Sequence, residues 1–152
     1  DGIPDGWSAT RKVVKCNQAG KPAVALTGDC AATLKPKTGV NVKLAQKVSA
    51  AGLAAGDTVR LAGYVSGAGV TGATAKLKVK YADTTLGKDG ITLDLPPGDY
   101  AYQAFSADLT LLGAVTSVKA QMGYGGAAGK ATFDDLTLTR LNPVARMGGL
   151  VP

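Results

Sequence analysis

Two residue types are missing from this chain of 152 residues, which contains neither glutamate nor histidine. Its 11 acidic residues are therefore all aspartates, and aromatic residues make up only 5% of the sequence. Without glutamate the chain lacks a strong helix former. Without histidine it lacks the side chain that titrates near neutral pH and most often binds metals. These absences argue against long helices and against acid–base catalysis at neutral pH.

The residues that are abundant favour sheets. Glycine occurs 21 times, and the apolar residues are mostly Ala, Val and Leu, which suit close-packed sheets. Short alternating or β-branched runs recur between glycine- and proline-bearing turns. They predict strands at residues 8–15, 23–26, 31–34, 40–48, 58–66, 73–81, 91–95, 100–105, 115–122 and 131–140. At this length we expect one domain, an all-β antiparallel sandwich.

The last predicted strand alternates small or polar residues with apolar ones. This pattern assigns two faces, one with Asp134, Leu136 and Leu138 and the other with Phe133, Asp135 and Thr137. Because Asp134 and Asp135 are then expected to point in opposite directions, they cannot act as a catalytic pair on one bond. The lack of histidine also excludes a Ser-His-Asp set. We expect no enzymatic activity.

The two cysteines, Cys16 and Cys30, are 14 positions apart, with strand-like segments beside each. A redox or metal-binding thiol pair is one interpretation, but neither a CxxC spacing nor a histidine partner supports it. The favoured interpretation is a disulfide between neighbouring strands, which would stabilise the fold by roughly 3 kcal/mol. A disulfide implies an oxidising compartment. Since the sequence has no signal peptide and no apolar run of transmembrane length, we expect a mature extracellular chain without membrane insertion.

The net charge is +6, from 17 basic and 11 acidic residues. The basic residues are dispersed and have no interleaved aromatics, so nucleic acid is not expected as a partner. One basic stripe, formed by Lys76, Lys78 and Lys80, falls on a single face of the predicted strand 73–81. We interpret it as a solvated outer face, with a docking surface for an acidic polysaccharide or a neighbouring subunit as the alternative. The GxGxxG at residues 67–72 leads into a strand instead of a helix, so it is interpreted as a hairpin loop.

Four segments of the chain match a known pattern when they are taken together. DGIPDGW is similar to a loop after a first strand, and VKLAQKVSAAGLAAGDTVRLAGYV to a strand, a Gly-Asp turn and a second strand. ATAKLKVKYAD and KATFDDLTLT complete the pattern, which covers residues 1–140. The set resembles the galactose-binding-like jelly rolls of carbohydrate-binding modules and secreted bacterial surface proteins. This resemblance implies a non-catalytic jelly roll that often binds glycans.

The same resemblance implies a structural calcium ion. The first aspartate of the family's FDD run is a common ligand and corresponds to Asp134, and the loop that holds Asp1 and Asp5 is expected nearby. The glutamate that the family's opening strand often contributes has no counterpart here. The alternative is that Asp134 is a strand-end carboxylate capped by backbone amides.

Glycan binding needs exposed aromatic rings with polar groups beside them. The candidates are Tyr64, Tyr100, Tyr102 and Tyr124. Trp7 stands where the family has a packing residue, and it is expected in the core. Tyr100 and Tyr102 alternate onto one face, as either a small platform or a cross-strand packing pair. Tyr124 lies in a glycine-rich run and is expected to be the most exposed ring.

The ends of the chain differ from the family pattern. The chain begins within the first loop, without the family's opening strand, and it continues past the last strand. We therefore divide it into a jelly roll at residues 1–141 and a tail at residues 142–152. The tail is expected to add as a strand to a neighbouring copy, with Val144, Met147, Leu150 and Val151 as anchors. The alternatives are a tail that folds back on its own sandwich and a leftover linker.

Two functions follow from these observations. The first is a non-enzymatic extracellular structural subunit that self-assembles head to tail into a surface filament or matrix. Scarce aromatics, the lack of glutamate and the abundant small residues favour it. The alternative is a carbohydrate-binding module of a larger secreted protein, which the resemblance favours. The expected partners are copies of the chain or a polysaccharide, and the one cofactor considered is calcium.

Overall fold

The structure is a computed structural model that describes residues 8–9, 14–21, 23–28, 30–36, 41–48, 50 and 52–141. Ten strands lie within these ranges: β1 Ser8–Ala9, β2 Val14–Cys16, β3 Cys30–Leu34, β4 Val42–Val48, β5 Thr58–Val70, β6 Ala73–Tyr81, β7 Lys88–Asp94, β8 Gly98–Thr110, β9 Val115–Tyr124 and β10 Lys130–Leu141.

The strands form two five-stranded sheets. Sheet A has the order β1-β4-β9-β6-β7, and sheet B has the order β2-β3-β10-β5-β8. Every neighbouring pair in either sheet is antiparallel. The predicted all-β antiparallel sandwich is confirmed. Within the described ranges, no helix has the length and apolarity that crossing a membrane requires.

Apolar side chains from the inner faces of both sheets fill the space between them. On β5, Val59, Leu61 and Val65 are buried, as their alternation predicted. Phe105 of β8 and Phe133 of β10 pack edge to face in this core, with ring centres 6.0 Å apart. The outer faces of the two sheets therefore carry the side chains that are available to ligands.

Two predicted strands differ from the structure in more than their bounds, and residues 67–70 of the predicted hairpin loop belong to β5. The predicted strand 8–15 divides between the sheets, because β1 pairs with β4 in sheet A and β2 pairs with β3 in sheet B. The predicted strand 23–26 is a loop. Its N–H groups at Val24 and Ala25 donate to the side chain of Asn17 instead of to a neighbouring strand. Local side-chain bonding of this kind competes with sheet pairing.

A bulge in β10 changes which of its residues face the core. Three steps along β10, from Asp134 to Thr137, match two steps along β5, and Asp135 has a positive φ of 51°. Because one extra residue reverses the alternation, Phe133 before the bulge and Leu136 after it both pack against the core. Their predicted assignment to opposite faces is therefore wrong. Asp134 and Asp135 do not diverge either, since both carboxylates contact Thr27.

Candidate functional site

The loop between β2 and β3 is closed by a disulfide. Cys16 and Cys30 lie opposite each other in the ladder and are joined, so the predicted disulfide is confirmed. We call residues 17–28 the disulfide loop. Within it, Oδ1 of Asn17 accepts hydrogen bonds from the N–H groups of Val24 and Ala25, at 2.7 and 3.1 Å. Asn17 thus holds the returning half of the loop close to β2.

Two aspartates of the β10 bulge attach this loop to sheet B. Oδ2 of Asp134 accepts hydrogen bonds from the N–H groups of Leu26 and Thr27, at 2.9 and 3.1 Å. The hydroxyl of Thr27 donates to Oδ1 of Asp135 at 2.6 Å. The bulge therefore has a definite consequence, because it brings both carboxylates to the same segment of the loop.

Tyr102 of β8 contacts the loop from the other side. Its hydroxyl donates to the carbonyl oxygen of Val24 at 2.6 Å. Burial raises the pKa of Tyr102 to about 12, and the negative charge of Asp134 adds to the shift. The phenol is thus a neutral donor that fixes the loop, and the charges of both Asp134 and Asp135 act on it.

Tyr100 does not share a face with Tyr102, so that prediction is wrong. Three steps along β8, from Gln103 to Tyr100, match two steps along β5, from Val65 to Gly67, and this second bulge reverses the alternation. Tyr100 consequently packs against the core, where its buried hydroxyl has no hydrogen-bond partner among the described residues. Burial raises the pKa of this hydroxyl as well.

Tyr124 is buried, with 1% of its surface exposed, so its predicted exposure is wrong. It is the last residue of β9 and follows Ala120 and Met122 on the inward face of that strand. Its hydroxyl accepts a hydrogen bond from the N–H of Thr71 at 3.0 Å and donates to the carbonyl oxygen of Ala128. Tyr124 therefore anchors the glycine-rich loop from inside and presents no ring to solvent.

Tyr64 is the candidate whose ring is exposed, at 39%. It lies on the outer face of sheet B, directly opposite Ala104 of β8 on one side and Asp134 of β10 on the other. Ala62 and Ser106, which are paired next to it, also have small side chains. On its β8 side, the ring of Tyr64 therefore has only small side chains as paired neighbours.

Hydrogen bonds and strand pairing connect these residues at the outer side of sheet B, because Asp134 is paired with Tyr64 and holds the loop that Tyr102 also contacts. We call this group the tyrosine face and define it by Tyr64, Tyr102, Asp135, Thr27 and Leu26. Leu26 is 42% exposed and adds an apolar edge. The face combines an exposed ring with carboxylate and hydroxyl groups, which is the combination that can stack on a sugar ring and hydrogen-bond its hydroxyls.

Asp134 itself is surrounded by N–H donors. Besides the two on Oδ2, the N–H of Asp135 donates to Oδ1 at 2.9 Å. This arrangement corresponds to the alternative of a carboxylate capped by backbone amides. The part of the chain that the structure describes contains no group of three or more acidic or cysteine side chains placed to hold a metal. Calcium binding stays a prediction.

Several sequence-predicted residues lie outside the described residues. They include Trp7, the Asp1 and Asp5 loop, and the whole predicted donor strand with Val144, Met147, Leu150 and Val151. Conversely, Asn17 and Thr27 contribute to the loop contacts but were not predicted from the sequence. The only sequence signal at either position was the turn formed by Thr27, Gly28 and Asp29, which marks a loop but not its contacts.

Comparison with known proteins identifies the fold. No family model and no curated protein matches the sequence. Among solved structures, the CBM22-1 xylan-binding domain of Paenibacillus barcinonensis Xyn10C aligns with a TM-score of 0.62 and 17% identity, over 95% of this chain and 91% of that one. TmCBM61, solved in complex with β-1,4-galactotriose, aligns with a TM-score of 0.58 and 20% identity, over 92% of each chain. The enzymatically active domain of bacteriophage CBA120 tailspike protein 4 aligns with a TM-score of 0.64 and 11% identity, but this chain covers only 20% of that one.

At these identities the similarity shows the fold alone. The chain has the jelly roll of carbohydrate-binding modules, as its resemblance to galactose-binding-like domains predicted. The similar domains are mostly binding modules, although some are parts of enzymes. Neither the comparisons nor the described residues provide support for the predicted filament subunit.

Proposed function

We propose that this chain is a non-enzymatic carbohydrate-binding module of a larger extracellular protein and that it binds a neutral polysaccharide at the tyrosine face. The observation that carries the proposal is the 39% exposed ring of Tyr64 on the outer face of sheet B. The neighbouring positions towards β8, Ala62, Ala104 and Ser106, have small side chains, which would leave room for a flat pyranose on that side of the ring. Ring stacking of this kind is the usual source of affinity in sugar-binding sites.

Polar groups beside the ring would orient the sugar. Asp135 is exposed, and its carboxylate can accept further hydrogen bonds besides the one from Thr27. Its left-handed backbone is costly for a residue other than glycine, and such conformations cluster at functional sites. Because Asp134 is paired with Tyr64 and Asp135 follows it in the chain, a neutral sugar is favoured over an acidic one.

The disulfide and the similar structures support the remaining parts of the proposal. A structural disulfide is stable in oxidising compartments, which agrees with an extracellular location. A similar CBM22-1 module from a Clostridium thermocellum xylanase is joined to a GH10 module, and the present chain covers 27% of that chain. A module of this kind supplies binding while another domain supplies catalysis.

The test is affinity electrophoresis of the chain against a panel of neutral polysaccharides that includes xylan and β-1,4-galactan. We expect retardation by at least one of them, and we expect Tyr64→Ala to weaken binding about tenfold, which corresponds to ~1.4 kcal/mol. Leu112→Ala is the matched control, because it removes a 63% exposed apolar side chain from a loop between β8 and β9. The proposal fails if no neutral polysaccharide retards the wild type or if both variants bind as it does.

A further inference from the structure

The outer face of sheet A is rich in lysine. Seven lysines on four neighbouring strands point to this side: Lys43, Lys47, Lys76, Lys78, Lys80, Lys88 and Lys119. We call them the lysine face. The sequence stripe of Lys76, Lys78 and Lys80 is only its centre, because antiparallel pairing adds lysines from β4, β7 and β9. On the described part of these four strands, Asp94 is the acidic residue of the same face.

Several of these lysines lie directly opposite one another. Lys119 of β9 is paired with Lys47 of β4 on one side and with Lys78 of β6 on the other. Lys80 of β6 is likewise paired with Lys88 of β7. Like charges at directly opposed positions destabilise a sheet. The fold tolerates this arrangement without deriving stability from it.

On sheet B, the charged residues at directly opposed outer positions have opposite signs. Its directly opposed charges on the outer face are Arg60 and Asp108, which form a two-pronged ion pair with distances of 2.7 and 2.9 Å. Neither ion pair that joins described residues includes Lys47, Lys78 or Lys119. Burial lowers the pKa of Lys78, and the charges of Lys76, Lys119, Lys43 and Lys88 lower it further. The pKa of Lys78 is therefore lowered by burial as well as by the positive charges of its neighbours.

The residues between the lysines have small side chains, and the strand pairing spaces the lysines regularly. Gly90, Gly123, Thr74 and Ala45 occupy intervening positions of the same face. Neighbouring strands are about 5 Å apart, which is comparable to the length of a pyranose unit. Alternate residues of one strand are about 7 Å apart. A polymer with one carboxylate on each sugar could place successive charges near successive lysines.

We propose that the lysine face binds an acidic polysaccharide of the polyuronate class, at a site separate from the tyrosine face. Complementary charge supplies the attraction. Nucleic acid is less suited, because the lysine face has no aromatic side chain for base stacking and has lysines where bidentate phosphate recognition favours arginine. A membrane surface is less suited, because the described outer positions of β4, β6, β7 and β9 include no large apolar side chain to insert among lipids.

Binding to polygalacturonate, measured by calorimetry at low and at high ionic strength, tests this proposal. We expect binding at low ionic strength that weakens as salt screens the charges. The triple variant Lys76→Gln, Lys78→Gln and Lys119→Gln should weaken it at least about tenfold. The control triple variant Lys15→Gln, Lys21→Gln and Lys130→Gln lowers the net charge of +6 by the same amount but changes only exposed lysines outside this face. It should retain nearly full affinity.

Further measurements distinguish the lysine face from the tyrosine face and from non-specific attraction between charges. Tyr64→Ala should bind polygalacturonate normally, and the lysine triple variant should bind neutral polysaccharide normally, so either site can fail without the other. The proposal is overturned if both triple variants lose affinity equally or if Tyr64→Ala abolishes polygalacturonate binding. It is also overturned if methyl-esterified polygalacturonate, duplex DNA or phosphatidylserine vesicles bind as tightly as polygalacturonate. Thermal melts confirm that each variant is folded.

Discussion

At the scale of single residues, Asp134 connects the disulfide loop to the sandwich. It accepts hydrogen bonds from three N–H groups, at Leu26, Thr27 and Asp135. Hydrogen bonds to a charged acceptor are stronger than neutral ones, and removal of the acceptor removes all three at once.

We therefore expect Asp134→Ala to lower the free energy of unfolding by roughly 2 kcal/mol. Urea denaturation measures this change, and Asp94→Ala, an exposed carboxylate at the end of β7, is the control that should have little effect. The same series tests the calcium prediction. A bound ion would make the melting temperature of the wild type fall with a chelator while that of Asp134→Ala stays constant. A wild type that is insensitive to the chelator would rule out an ion that contributes to stability at this position.

Tyr102 makes the stability of the loop depend on alkaline pH. Folding raises the pKa of its phenol from 10.0 to about 12, chiefly by burial. The folded state thus favours the neutral phenol, and the stability associated with it is complete below pH 10.0 and is lost as the pH rises towards about 12. We expect Tyr102→Phe to have a flatter stability profile than the wild type across this range. Parallel profiles for the two proteins in short thermal melts would contradict this assignment.

At the scale of elements, the disulfide loop is the segment on which the tyrosine face depends. The Cys16–Cys30 bond closes it, and Asn17, Asp134 and Tyr102 then fix its returning half. Reduction should lower the free energy of unfolding by roughly 3 kcal/mol in the chain-entropy model. It should also weaken neutral polysaccharide binding, because Leu26 and Thr27 are held by Asp134, the residue paired with Tyr64.

The matched control for reduction is the double variant Cys16→Ser and Cys30→Ser. Its melting temperature should equal that of the reduced wild type and should not respond to reductant. If the reduced wild type melted like the oxidised protein, the loop would be held by its hydrogen bonds alone.

The strands were largely predictable from the sequence, whereas the contacts that build the tyrosine face were not. Alternation in residues 73–81 predicted β6 with its correct bounds, since each inward residue there is apolar. It failed at Leu136 and at Tyr100, because a bulge inserts one residue without a distinctive sequence signal and reverses every later side chain. Asp134 and Thr27 are 107 positions apart, and only the paired sheet brings them together.

At the scale of the whole molecule, the sandwich separates two surfaces of different charge. The tyrosine face on sheet B combines an exposed ring with aspartates, whereas the lysine face on sheet A combines cationic side chains with small residues. The inner faces of the same sheets enclose the apolar core between them, so the two surfaces point away from each other. The two proposed sites would therefore not compete for the same space.

The most direct test of the central claim is an NMR titration of the isotopically labelled chain with the soluble neutral oligosaccharide that it binds best. We expect the amide shifts to change at Tyr64, Ala104, Thr27 and Asp135 on the outer face of sheet B, while the amides of β4, β6 and β9 stay constant. Tyr64→Ala should need about ten times the oligosaccharide concentration to reach the same changes at Ala104, Thr27 and Asp135. Shifts confined to the lysine face, or an absence of shifts with every neutral oligosaccharide of the panel, would contradict the assignment of a neutral-glycan site to the tyrosine face.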